Sequence, residues 1–354
     1  MSYFRKNIEE LKPYIPGFQP GREEFVKLNT NENPYPPSKR VLKVIRDNIG
    51  VSLRLYPDPS GAELKSAAAR VLGFKVENII PGNGSDEILS LIFRAVLDKG
   101  DKAAITFPTY SLYKVLADIQ AAGIEEHRLK QQDRLPASFF KTKAKLIIIS
   151  NPNAPTGCAF PKKDIEKLCR AQKKALIVID EAYVDFSTYN CLYMARKYRN
   201  VVVTRSLSKS YALAGMRIGL GIANKKTIDM LLKVKDSYNI NRLSIKAGKA
   251  AMDDRQYFRK IKKNVIKTRL FLDKRLKSMG FETLPSSANF IFAKPPCLPD
   301  RQAVDAKKLT VRLEGKNILV RNFCIGWLKD YIRISVGTMK EIKIFLKKTE
   351  TLLK

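Results

Sequence analysis

Four short apolar runs, Ala103 to Thr106, Leu146 to Ser150, Ala175 to Asp180 and Val201 to Thr204, alternate with stretches of helical spacing. Short runs rich in isoleucine and valine, apolar throughout rather than at every second position, read as strands covered on both faces. Such strands in alternation with helices predict an α/β fold with a mainly parallel central sheet. Ligands of sheets like this collect in the crevice outside the strands' carboxyl ends. The residues just after each run are therefore the candidates for chemistry.

After the last run comes a hydroxyl-rich turn, Thr204-Arg205-Ser206-Leu207-Ser208, then Lys209, then a helical or glycine-broken stretch carrying Arg217. A lysine there is either a surface residue or a nucleophile able to form a Schiff base with an aldehyde cofactor whose phosphate its neighbours grip. The run Ala175 to Asp180 ends in an aspartate that no structural rule requires. At a strand's carboxyl end, Asp180 could hold the ring nitrogen of pyridoxal phosphate protonated, with Tyr183 in reach of the ring's phenolate oxygen. Gly82-Asn83-Gly84-Ser85-Asp86-Glu87 opens a further helix. Its glycines allow close backbone approach, and the free N–H groups at Gly84, Ser85 and Asp86 suit a phosphate. A plain helix cap accounts for that segment equally well.

Other chemistries are poorly supplied. The chain has one histidine, His127, in the polar stretch EEHRLK, where it reads as a surface residue, and five scattered cysteines without a Cys-x-x-Cys pair. Histidine triads, zinc sites and a disulfide framework are thereby excluded, and no metal is expected. The net charge of +32 raises nucleic acid as a partner, but the lysines are spread along helix faces rather than clustered, so neither nucleic acid nor membrane is expected. No run approaches the ~18 apolar residues of a membrane span. The opening MSYFRKNIEELKPY has no apolar core of a secretory leader, so a cytoplasmic location is expected. The proline-rich start, with Pro13, Pro16, Pro20, Pro34, Pro36 and Pro37, predicts little helix beyond the first dozen residues. Leu243 to Met279 reads as one long helix, and the segments from Phe281 to Ser335 as short strands. At 354 residues the chain allows about two domains.

In order along the chain stand Tyr56-Pro57-Asp58-Pro59, Gly82 to Glu87, Pro108-Thr109-Tyr110, Asn151-Pro152-Asn153-Ala154-Pro155-Thr156-Gly157, Asp180-Glu181-Ala182-Tyr183 and Ser206-Leu207-Ser208-Lys209. This ordered set resembles the fold-type I pyridoxal phosphate aminotransferases, and among them the histidinol-phosphate branch. The resemblance implies a large cofactor-binding domain (residues 46–244) and a smaller α+β domain (245–354), with residues 1–45 forming an arm and the start of the small domain. It implies a homodimer in which Tyr56 reaches the neighbouring site, Tyr110 stacking on the cofactor ring, and Ser206, Ser208 and Arg217 on its phosphate. Asn31 would line the substrate pocket beside Tyr14. Arg333 lies among apolar residues, where an unpaired guanidinium is costly, so it must meet an anion. The resemblance assigns Arg333 and Arg321 to a substrate's phosphate, and a core carboxylate is the alternative.

The implied reaction exchanges an amino group between glutamate and imidazole-acetol phosphate. A threonine-phosphate decarboxylase or an aromatic amino-acid aminotransferase would share the scaffold. One position departs from the pattern: Ala154 stands where the family usually has an asparagine donating to the phenolate oxygen, and Asn153 is one place early.

Overall fold

A computed structural model describes residues 2–21, 25–129, 132–297 and 304–353. Seven strands, β1 (Ile79–Asn83), β2 (Lys102–Phe107), β3 (Gly123–Arg128), β4 (Leu146–Ser150), β5 (Leu176–Asp180), β6 (Val201–Ser206) and β7 (Ile218–Ile222), form one sheet. Their order is β1-β7-β6-β5-β4-β2-β3; β7 is antiparallel to both neighbours and the other pairs are parallel. The expected α/β sheet is thus present, with all four apolar runs as interior strands.

Because side chains alternate across a strand, each run feeds two cores. Ile147, Ile149, Ile177, Ile179, Val201 and Val203 enter one apolar layer, and Ile148, Val178 and Val202 the other, all fully buried. Each such side chain contributes roughly 1.5–3 kcal/mol on leaving water. A second, four-stranded antiparallel sheet runs in the order Arg321–Asn322, Ile332–Ser335, Phe290–Lys294, Glu282–Thr283. Val26–Lys27 pairs in parallel with Ile318–Leu319, tying the early chain to this later region.

Several local expectations need correction. Lys39–Asp47 is a helix inside the proline-rich start, because Pro36 and Pro37 precede it and the Ser38 side chain caps it by accepting from the Val41 N–H. The single long helix is two, Arg242–Asp253 and Arg255–Ser278, broken at Asp254, whose side chain caps the second by accepting from the Tyr257 N–H. The stretch after Lys209 is no extended helix: Leu207–Ser210 makes one turn, and Ile218–Ile222 is the buried strand β7. Its glycines look like breakers but serve approach, since a Cβ on Gly219 would stand 2.2 Å from the backbone of Gly84 and Ser85. His127 is not a free surface residue; it sits on edge strand β3 with its side chain 11% exposed, packed on Phe139 and bonded to Ser138 at 2.9 Å.

Candidate active site

Three neighbouring strands deliver their polar ends in one row. Ser150, Asp180 and Thr204 are register partners across β4, β5 and β6, so their side chains share a face, that of Ile148, Val178 and Val202. Asp180 is 4% exposed, and its carboxylate accepts from the Tyr113 hydroxyl (2.7 Å), the Thr204 hydroxyl (2.8 Å) and the Ala182 N–H (3.2 Å). Burial pushes its pKa above the usual aspartate value, while the Tyr113 and Thr204 hydroxyls pull it down. The Tyr110 ring meets Tyr113 edge-on at 5.6 Å and Tyr14 at 5.5 Å, so an aromatic wall leads from Asp180 to the N-terminal arm.

Lys209 ends the turn that follows β6. Its ammonium lies over the Tyr183 ring at 5.6 Å and 3.5 Å from the Thr30 carbonyl, and its own carbonyl accepts from the Asn33 side chain at 2.8 Å. The Asn29 to Asn33 loop is therefore a wall of the same site. Asn31, in the left-handed region at φ 56°, donates from its amide to the Tyr183 hydroxyl at 3.1 Å and is held by Ser335 and Asn289. That conformation is one asparagine tolerates.

The glycine-rich segment and Arg217 also meet. The helix Ser85–Val96 starts directly after Gly84, and its first N–H groups have no partner within the helix. Arg217, itself at φ 49°, pairs with Asp86 at 2.9 Å and lies so close that a Cβ on Gly84 would stand 2.6 Å from its guanidinium. Ser206 accepts from the Ser208 N–H at 3.2 Å, and the buried Ser208 hydroxyl has no partner among the described residues. An orphaned hydroxyl, free helix N–H groups and a nearby arginine fit a phosphate.

Arg333 is half-buried, and no carboxylate pairs with it among the described residues. It donates to the Asn29 carbonyl at 3.0 Å, its guanidinium faces the rings of Phe290 (5.3 Å) and Phe323 (5.2 Å), and its Nε has no partner among the described residues. The core ion pair considered from sequence is thus absent among the described residues. Burial lowers its pKa from the ordinary guanidinium value, with the Tyr183 and Tyr14 hydroxyls opposing. Arg321 lies on the neighbouring strand, opposite Arg333 in register, donating to the carbonyls of Ile15 and Pro16.

Ala154 packs with Ala288, Phe290 and Tyr183 in a small apolar cluster, and Asn153 turns away to the Pro108 carbonyl (3.0 Å) and Thr156 (3.1 Å). Neither replaces the missing donor. Tyr56 does not join this site in its own chain; it is 76% exposed and stacks on Tyr238 at 4.4 Å.

Sequence reasoning missed a buried network behind the row. Arg205 pairs with Glu181 at 2.9 Å and Asp185 at 3.0 Å, Asp185 accepts from the Ser210 hydroxyl at 2.5 Å, and burial lifts the Glu181 carboxyl to about 6 despite Arg205. It ties the segment after Asp180 to the turn bearing Lys209. Strand alternation is the signal that would have found it, since Arg205 must face away from Thr204 and Ser206.

The model of a family described as aminotransferase class I and II matches residues 23–348. The chain is 41% identical over 355 residues to histidinol-phosphate aminotransferase 1 of Trichormus variabilis, covering 100% of this chain and 99% of that protein. It is 42% identical over 340 residues to the histidinol-phosphate aminotransferase of Geotalea uraniireducens, covering 96% of each. Among solved structures, the histidinol-phosphate aminotransferase of Sinorhizobium meliloti in complex with pyridoxal 5'-phosphate superposes with a TM-score of 0.88 at 25% identity, covering 99% of each chain.

Proposed function

The chain belongs to the class I and II aminotransferases, and from that membership we propose that it carries the amino group of glutamate to imidazole-acetol phosphate, giving L-histidinol phosphate and 2-oxoglutarate in histidine biosynthesis. Pyridoxal 5'-phosphate is its cofactor. The observation that carries the substrate assignment is Arg333, half-buried, with a buried Nε that has no partner among the described residues, beside Arg321 and near Tyr14. Planar guanidinium forks bind phosphate in bidentate fashion, and a buried cation without a counter-charge is costly unless a ligand brings one.

When bound, the cofactor supplies an electron sink for the bond broken at the substrate's α-carbon. In this reading Lys209 holds it covalently and then takes and returns the proton at that carbon. Asp180 keeps the ring nitrogen protonated, and Tyr110 covers the ring. Gly84, Ser85, Asp86, Ser206, Ser208 and Arg217 hold the cofactor's phosphate, while Tyr14, Asn31, Arg321 and Arg333 bind the substrate. Tyr183 is the donor left to the phenolate oxygen, since Ala154 offers none.

Purified protein is expected to be yellow and to form 2-oxoglutarate from glutamate and imidazole-acetol phosphate. Release of carbon dioxide from threonine phosphate without 2-oxoglutarate would point to a decarboxylase, and a preference for aromatic amino acids to the other alternative on this scaffold. A colourless preparation held on DNA at low salt would sink the enzymatic reading.

The homodimer belongs to the same proposal. Ile49, Val51, Leu53, Leu55 and Tyr56 are exposed along one short stretch of chain, and Tyr238, which stacks on Tyr56, is exposed too; a cluster of exposed apolar side chains supports an interface there. Mixing Tyr56→Ala and Lys209→Ala subunits is expected to restore about a quarter of wild-type activity, the share of complete sites that random pairing of a two-fold dimer rebuilds. No recovery in verified hybrids would place Tyr56 in its own subunit's site. The two separate sheets support a large and a small domain, but residue 45 lies within the helix Lys39–Asp47 and residue 244 within the helix Arg242–Asp253, whose Ile245, Ala247, Ala250 and Ala251 pack into the core of the large domain. A cytoplasmic location suits such a biosynthetic step, and among the described residues no helix is long and apolar enough to cross a membrane.

A further inference from the structure

Asp180 is a buried carboxylate, and among the described residues no cation pairs with it. The acids around it have theirs: Glu181 and Asp185 pair with Arg205, and Asp86 with Arg217. A charge in a dry pocket without a counter-charge survives only by hydrogen bonding. Asp180 receives two side-chain donors, one on each oxygen: Thr204 on Oδ1 at 2.8 Å and Tyr113 on Oδ2 at 2.7 Å, both residues fully buried.

The fold forces both contacts. Thr204 is the register partner of Asp180 on the adjacent parallel strand, and Tyr113 lies in the first turn of the helix Leu112–Ile119, whose buried side packs on that same face. A carboxylate otherwise turns freely about its last torsion, so a donor fixed on each oxygen sets the plane of the group. We propose that Tyr113 and Thr204 are positioning residues of the reaction, which keep Asp180 charged and its carboxylate plane set toward the cofactor's ring nitrogen.

This rests on the reading that Asp180 faces that nitrogen. With either hydroxyl removed, the dry pocket favours the neutral acid, and a neutral acid cannot hold a proton on the ring by charge. Asp86 would act in the same direction, its negative charge disfavouring a second nearby.

The test uses Tyr113→Phe and Thr204→Val, which keep the buried shapes and lose only the hydroxyls, with Asp180→Asn as reference. Each holoenzyme is reconstituted with cofactor labelled with nitrogen-15 in the ring, and the ring-nitrogen resonance is followed against pH. Wild type should stay protonated through neutral pH, and Asp180→Asn should not. The two hydroxyl variants should lose the proton at lower pH than wild type and bind cofactor about tenfold more weakly, with circular dichroism unchanged. If Asp180→Asn moves the resonance and neither hydroxyl variant does, Tyr113 and Thr204 only pack and the proposal falls. If Asp180→Asn leaves the resonance in place, the assignment of Asp180 is itself wrong and the proposal goes with it.

Discussion

Replacing Lys209 by arginine is expected to lower turnover by about 10⁴-fold or more, the upper range for removal of a positioned acid–base group, because the same side chain also supplies the covalent attachment. The charge is kept, yet a guanidinium is neither a nucleophile nor a proton carrier at neutral pH. The fold should survive, since Lys209 is not in the apolar core and the contacts of its ammonium among the described residues are polar or at a ring face: the Thr30 carbonyl, the Tyr183 ring and a longer-range attraction to Glu32. The variant should still take up cofactor through the groups assigned to its phosphate, but without the absorbance of a lysine adduct. Borohydride reduction of the wild-type holoenzyme, followed by peptide mapping, should place the label on Lys209. A label on any other lysine, or an active Lys209→Arg protein, would falsify the mechanism.

The second large effect separates catalysis from stability. Arg333→Met is expected to cut kcat/KM for the phosphorylated substrate by about 10²- to 10³-fold, mostly through KM, since hydrogen bonds between charged partners contribute roughly 1.5–3 kcal/mol each. The variant should also lose its preference for the phosphorylated over the dephosphorylated ketone. Unliganded stability should not fall with it. Arg333 makes one described hydrogen bond, to the Asn29 carbonyl, and faces two aromatic rings. Relief of a desolvated charge offsets their loss. Kinetics with both ketones and thermal melting of the apoprotein check the two expectations. A melting temperature several degrees lower with KM unchanged would make Arg333 a structural residue and remove the main support for a phosphate substrate.

The interior strands were legible because burial on both faces leaves a continuous apolar signature: Leu146 to Ser150 was read with its observed ends. The edge strand Gly123–Arg128 was not read, as it pairs on one side only and carries Glu125, Glu126, His127 and Arg128. β7 was hidden by Gly219 and Gly221, residues set by what presses against the strand rather than by strand preference. Lys209 and Asp180 stood out as residues that no local rule explains at strand ends. Tyr113 did not, because its bond to Asp180 joins positions 67 residues apart and exists only once the strands are in register. The bare guanidinium of Arg333 was likewise invisible, since a sequence shows that a partner is needed but not that the chain withholds it.

The common row of Ser150, Asp180 and Thr204 has a consequence for how such a chain can change. Inserting a single residue within one of these strands would swing its polar tip through the sheet into the opposite oily layer, at the cost of a stranded hydroxyl or charge. Additions to the connections leave the row untouched. Lineages descending from this chain are free to lengthen their loops and alter what they accept, while the spacing inside the three strands stays frozen.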